Sequence, residues 1–218
     1  MFKKIGILTS LLILVQLVVG HSINYALQDA PVDEVVWFYF LLGFKHIIPS
    51  GVDHILFVVS LCLLSTNIKT IFWQATAFTV AHSITLALSM KNIIVAPGAV
   101  VEPIIAMSIV FVAIENMLLT ELKVWRILIV FLFGLIHGMG FASALTELGL
   151  PKNGYFTSLI MFNLGVELGQ ITVILAAFFL LAKPFGNKPY YRKRIVIPLS
   201  IIIAAIALYW TIERIFFV

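Results

Sequence analysis

His46, His54, His82 and His137 all lie in or beside long apolar stretches, as do Asp53, Glu102, Glu115 and Glu167. An ionisable side chain at mid-bilayer costs about 2.5–3.5 kcal/mol on insertion scales. Such residues therefore turn toward a protein interior or a cavity and are functional candidates by default. Imidazole and carboxylate together suit divalent transition metals. The chain's single cysteine, Cys62, sits in an apolar run. One cysteine excludes an intrachain disulfide and is too few for a thiolate site, so it reads as a packing residue.

The densest signal spans residues 43–57 and carries His46, Asp53 and His54 around a Pro49-Ser50-Gly51 break. Ser50 can cap the following helix, and Asp53 three residues on fits a Ser-x-x-Asp helix start, which is its ordinary structural reading. His54 faces either lipid or the bundle. His46, beside Lys45, reads as interfacial or as part of a pathway. His82 and His137 sit in small-residue stretches, 77–85 and 134–143, that permit close helix packing. Asn163, Glu167 and Gln170 are spaced i, i+4, i+7 and share one helix face. Glu102 precedes Pro103 at a helix start, where a carboxylate complements the helix dipole. Glu115, next to Asn116, lies near that helix's other end. A lone membrane histidine is more often a helix–helix hydrogen bond than a ligand. Three histidines and three carboxylates at compatible depth resist that explanation jointly.

The elements that must position these groups are membrane helices. The 218-residue chain is 62% hydrophobic and 11% charged, against about 25% charged in soluble domains. The fold expected is an all-α polytopic bundle of about six transmembrane helices forming one membrane domain over 21–218. Residues 1–20 read as a signal peptide: Lys3 and Lys4, an apolar core, and a small-residue site near Gly20. If uncleaved, that stretch is a short N-terminal helix. His21, at the start of the mature chain, reads as solvated. The net charge of +4 does not signal nucleic acid, because Lys183, Lys188, Arg192, Lys193 and Arg194 share one short loop. A cytoplasmic loop obeying the positive-inside rule accounts for them.

Apolar runs follow at about 35–65, 70–90, 98–119, 126–146, 155–182 and 195–213, mostly near the roughly 20 residues a spanning helix needs. The first run consists of two pieces, each too short to span, separated at Pro49-Ser50-Gly51, where proline lacks a donor and glycine tolerates unusual dihedrals. The expectation is a broken first helix: an interfacial or re-entrant piece, then a short spanning one, in the manner of helices that line a transport cavity. Loop charges place the basic cluster in the cytoplasm and both mature ends outside a bacterial inner membrane. At 1.5 Å per residue, Asp53, His54 and Glu102 lie roughly 5 Å below the outer face, Asn163, His82 and His137 about 12–15 Å, and Glu167 about 18 Å. Glu115 stands apart near the inner face.

The ordered motifs resemble the HupE/UreJ family of hydrogenase/urease accessory membrane proteins, in its second, broader branch. The matching stretches are the run at 43–57, A-H-S-x-T at 81–85, V-E-P at 101–103, I-E-N at 114–116, F-G-L-I-H-G-x-G-F at 133–141 and N-x-G-V-E-x-G-Q at 163–170. Relatives carry His-Pro-x-x-Gly-x-Asp-His in the first membrane helix. Here the proline and the spacing after His46 are displaced. The resemblance implies an inner-membrane nickel or cobalt permease that supplies metalloenzymes. Asp53, His54, His82, His137 and Glu167 are the expected metal residues, with His46, Glu102, Glu115, Asn163 and Gln170 around them or along the pathway. The cargo or cofactor expected is Ni2+, Co2+ or Zn2+. Partners are the bilayer and either further copies of the chain or a metalloenzyme maturation system. No nucleotide-binding motif is present, which argues against a self-contained ATP-driven pump. Two alternatives stand beside transport. One is an intramembrane zinc hydrolase with Glu167 or Glu102 as base. The other is a metal-binding sensor or assembly protein.

Overall fold

The computed structural model describes residues 30–148 and 154–217; the leader and His21 lie outside them. Among the described residues all regular structure is helical. Helix α1 is Val32–Ile47 and α2 is Val52–Leu63. Asp33 and Glu34 in the first turn of α1 and Lys45 in its last complement the helix dipole. The two helices meet at 66° across the break. Gly51 is indispensable there, since any Cβ would strike the His46 carbonyl. The expected Ser50 cap is not formed. Gly51 occupies the cap position and no side chain caps the helix, so Asp53 is left for other contacts.

Helix α3 is Ile68–Met90, capped by the Asn67 side chain, which accepts from the Lys69 and Thr70 amides. Helix α4 is Gly98–Leu118 and α5 is Arg126–Leu148. Helix α6 is Tyr155–Ala177 and runs on through a π-turn to Phe185. Helix α7 is Ile197–Phe216, entered through a π-turn at Arg192–Val196. Five of these are long and apolar enough to cross a membrane, and the bent α1–α2 pair makes the sixth. On α4 the exposed residues Val100, Ile104, Met107, Phe111, Ile114 and Leu118 recur every three or four positions. That is a lipid-facing stripe.

Three helix pairs, α1/α6, α3/α5 and α4/α7, carry most of the packing. Lipid offers no hydrophobic drive for helices to associate, so close backbone approach through small residues must supply the contact. In α5, Gly134 and Gly138 lie against the Phe78 and His82 carbonyls of α3, with no room for a Cβ. In α6, Gly165 meets the Phe40 carbonyl of α1, while Gly43 of α1 meets that of Phe162. Helix α2 touches α1, α3, α4, α6 and α7. Its buried residues His54, Phe57, Val58, Ser60, Leu61, Cys62 and Leu63 cover most of its circumference, as expected of a central helix. The Asp53-His54 pair therefore enters the middle of the bundle on the one helix that contacts nearly all the others.

Candidate metal centre

His54, in the first turn of α2, is the hub. Its ring centroid lies 4.7 Å from that of His46, 6.1 Å from His82 and 5.0 Å from His137. One ring nitrogen from each of His46, His54 and His82 falls within a 4.8 Å group. His82 is wholly buried, His54 and His137 nearly so. Neither nitrogen of His82 completes a hydrogen bond of good geometry among the described residues, although Asn163 is placed to pair with it, and His46 Nε2 has no partner there. Buried polar atoms are rarely left this way, so several at one place call for a ligand. The walls are aromatic: Phe141 lies 3.9 Å from His46, Phe78 4.8 Å and Phe57 5.4 Å from His137, centroid to centroid. Such walls lower the local dielectric and strengthen any charge interaction inside.

Hydrogen bonding selects the tautomer of His54. Asp53 Oδ1 accepts from the His54 amide at 2.8 Å and faces His54 Nδ1 at 3.0 Å. A carboxylate only accepts, so His54 carries its proton on Nδ1 and turns the lone pair of Nε2 inward. The Ser108 hydroxyl is 2.7 Å from the Ile105 carbonyl and 3.1 Å from His137 Nε2. The hydroxyl has one hydrogen: given to the carbonyl it leaves His137 Nε2 protonated and Nδ1 with a lone pair, and given to His137 Nε2 it leaves the proton on Nδ1. His137 Nδ1 lies 3.5 Å from His54 Nε2. The contact is a His137 Nδ1–H to His54 Nε2 hydrogen bond in one tautomer of His137, and in the other a pair of lone pairs that a cation could bridge. A tetrahedral ion with bonds of about 2.0–2.1 Å separates its nitrogen ligands by about 3.4 Å. The His54–His137 spacing matches that value, and the His46/His54/His82 group is somewhat looser.

The other expected residues are distributed around this cluster. Glu167 lies outside the histidine group; its Oε1 accepts from Thr76 of α3 at 2.8 Å and its Oε2 has no partner. Gln170 Oε1 accepts from Thr79 at 3.2 Å. The Asn163 amide donates to the Leu159 carbonyl at 2.8 Å, and its oxygen is without a hydrogen bond. With buried Gln74, these side chains form a polar seam along α3/α6 that leads from His82 toward the start of α3. Glu102 contributes its main-chain oxygen, which accepts from Arg214 Nη1 at 3.0 Å. Arg214 Nη2 is 3.8 Å from Asp53 Oδ2. Glu115 is remote from the cluster and ion-paired with Arg126, Nη1 to Oε2 3.1 Å, both buried. Arg126 also donates to Asn116 Oδ1 at 3.1 Å, and Asn116 Nδ2 to the Ser60 carbonyl of α2 at 2.7 Å.

Sequence reasoning placed His46 at the periphery, whereas the bend brings its ring onto His54. It also passed over Ser108, Thr76 and Thr79, single hydroxyls in apolar helices with no distinguishing spacing. By sequence alone Arg126 and Arg214 are no more than a loop charge and a tail charge. Their proximity to Glu115 and Asp53 arises from helix packing, which spacing along the chain does not reveal.

Fold and site together define a polytopic all-α membrane protein with a buried histidine cluster at its centre. Over residues 11–214 the sequence matches the family described as HupE / UreJ protein, and the chain belongs to that family, which is linked to metal handling. Comparison with curated proteins and with solved structures found no match.

Proposed function

We propose that the protein is a permease that moves Ni2+ or Co2+ inward across the bacterial inner membrane. The observation that carries this reading is the convergence of ring nitrogens, one each from His46, His54 and His82 within 4.8 Å of one another, with His137 Nδ1 3.5 Å from His54 Nε2. In this reading His46, His54 and His82 hold the ion, with His137 set against His54, and neutral imidazoles replace part of its hydration shell. Asp53 acts through His54 by fixing its tautomer and raising its basicity. Glu102 marks the outer mouth. Asn163, Glu167 and Gln170 line the way inward along α3/α6.

That seam is what favours transport over intramembrane hydrolysis. A hydrolase needs a free carboxylate base poised at the ion, whereas Glu167 sits beyond the histidine group among further polar side chains, Glu102 contributes its main-chain oxygen, and Asp53 is committed to His54 and Arg214. Mixed imidazole ligation without thiolate gives the moderate affinity that conduction requires. The test is calorimetric titration of the detergent-solubilised full chain with NiCl2. One ion per chain is expected, with binding lost in His54→Ala and reduced at least about tenfold in His82→Ala. Saturable binding that survives both substitutions would place the site elsewhere.

A further inference from the structure

A cation beside the cluster is Arg214, in the last turn of α7. Asp53 divides its two oxygens: Oδ1 is committed to His54, and Oδ2 faces Arg214 Nη2 at 3.8 Å. The guanidinium is held rather than left to swing in solvent. Nη1 donates to the Glu102 carbonyl at 3.0 Å, the Trp210 ring lies 5.9 Å away, and the helix C-terminus favours a positive charge. Arg214 makes its ion pair with the carboxylate that orients His54, while from Glu102 it takes only the main-chain oxygen. Both partners are 22% exposed, so the pair is only partly screened by water.

We propose that Arg214 is a resident counter-charge that competes with the transported ion for Asp53 and so weakens its binding enough to permit release. This rests on the permease reading. A divalent ion among His46, His54 and His82 must share Asp53's negative charge with the guanidinium. Arg214 draws charge away from the Asp53–His54 bond, which lowers the basicity of His54 as a ligand. It also adds like-charge repulsion beside aromatic walls of low dielectric. A transport site must bind well enough to load and weakly enough to empty. Arg214 tilts that balance toward emptying. It is a positioning and affinity-setting residue, not a ligand.

The experiment compares wild type, Arg214→Gln, Arg214→Met and Arg214→Lys. NiCl2 titrations are run in detergent and radiolabelled Ni2+ uptake is followed in proteoliposomes. Arg214→Met keeps an apolar stem near Trp210 without the charge, and thermal unfolding in the same detergent verifies that each variant is folded. The neutral variants should bind Ni2+ about tenfold more tightly. In uptake they should show a lower apparent KM together with a lower maximal rate, because release slows. Arg214→Lys, which keeps the charge, should stay within about twofold of wild type. A purely structural role would lower the rate and leave affinity unchanged. If wild type binds Ni2+ but both neutral variants bind it equally or more weakly, the inference fails and the permease reading stands. If wild type binds no Ni2+, that reading fails, and this one with it.

Discussion

At the scale of the residue, Asp53 and His54 are neighbours because one holds the other. The carboxylate accepts from both the His54 amide and its Nδ1, so the ring presents Nε2 to the cluster in a single tautomer. Asp53→Asn keeps an acceptor oxygen but loses the charge, and should weaken Ni2+ binding by about 10–100-fold in a calorimetric titration while the melting temperature is nearly unchanged. Ser108 performs the same office for His137 when its hydroxyl gives its hydrogen to the Ile105 carbonyl. In Ser108→Ala, His137 is free to place its proton on Nδ1 and donate to His54, which should lower Ni2+ affinity by about threefold to tenfold. An unchanged dissociation constant would count against that tautomer of His137. His54, His82 and His137 were legible in the sequence because an ionisable group in an apolar run has few benign explanations. His46 was not, since its place depends on the 66° bend that folds α1 back onto α2. Ser108 has no legible signal, because a serine in a membrane helix usually bonds its own backbone, as this one also does.

At the scale of the element, hydropathy located the helices well. The run expected at 98–119 is α4, Gly98–Leu118, and that at 126–146 is α5, Arg126–Leu148. Arg126 begins α5 and so reads as a loop cation from sequence. In the structure it is buried against Glu115 and Asn116. The pair joins the end of α4 to the start of α5, and Asn116 and Arg126 both reach the Ser60 carbonyl of α2. Arg192 adds donors to the Leu119 and Met117 carbonyls at the end of α4. This is a fastening at the end of the bundle opposite the histidines. Removing one partner of a buried pair leaves an uncompensated charge, so Glu115→Ala should destabilise the fold by about 3–5 kcal/mol. Replacing both, with Glu115→Leu and Arg126→Met, should recover most of that loss in equilibrium unfolding. Failure of the double variant to recover would mean the charges serve something other than packing. The α3/α5 contact is equally specific. Gly138→Val would drive a branched side chain into the His82 carbonyl and Thr85, separating the helices that carry His82 and His137. Loss of Ni2+ binding and a lowered melting temperature should appear together.

At the scale of the whole molecule, a buried histidine cluster near one end of α2 is joined to a polar seam along α3/α6, and the opposite end is fastened by a buried ion pair. Membrane class, helix number and the broken first helix could be read from apolar run lengths and the Pro49-Ser50-Gly51 punctuation. The seam could be read only in half. Asn163, Glu167 and Gln170 declare one face of α6 by their spacing, but their partners Thr76 and Thr79 come from a helix about 90 residues earlier in the chain. If the seam carries the ion onward from the cluster, Glu167→Gln should slow Ni2+ uptake at least about fivefold while the dissociation constant stays within about twofold. In the permease reading the histidine cluster is a stage in transport, and not a resting place for a fixed metal. Its most direct test is uptake of radiolabelled Ni2+ into proteoliposomes that contain purified protein, comparing wild type with His82→Ala and His137→Ala. Saturable accumulation by wild type and its loss in both variants are expected. Tight stoichiometric binding by wild type without any accumulation inside the vesicles would contradict that reading.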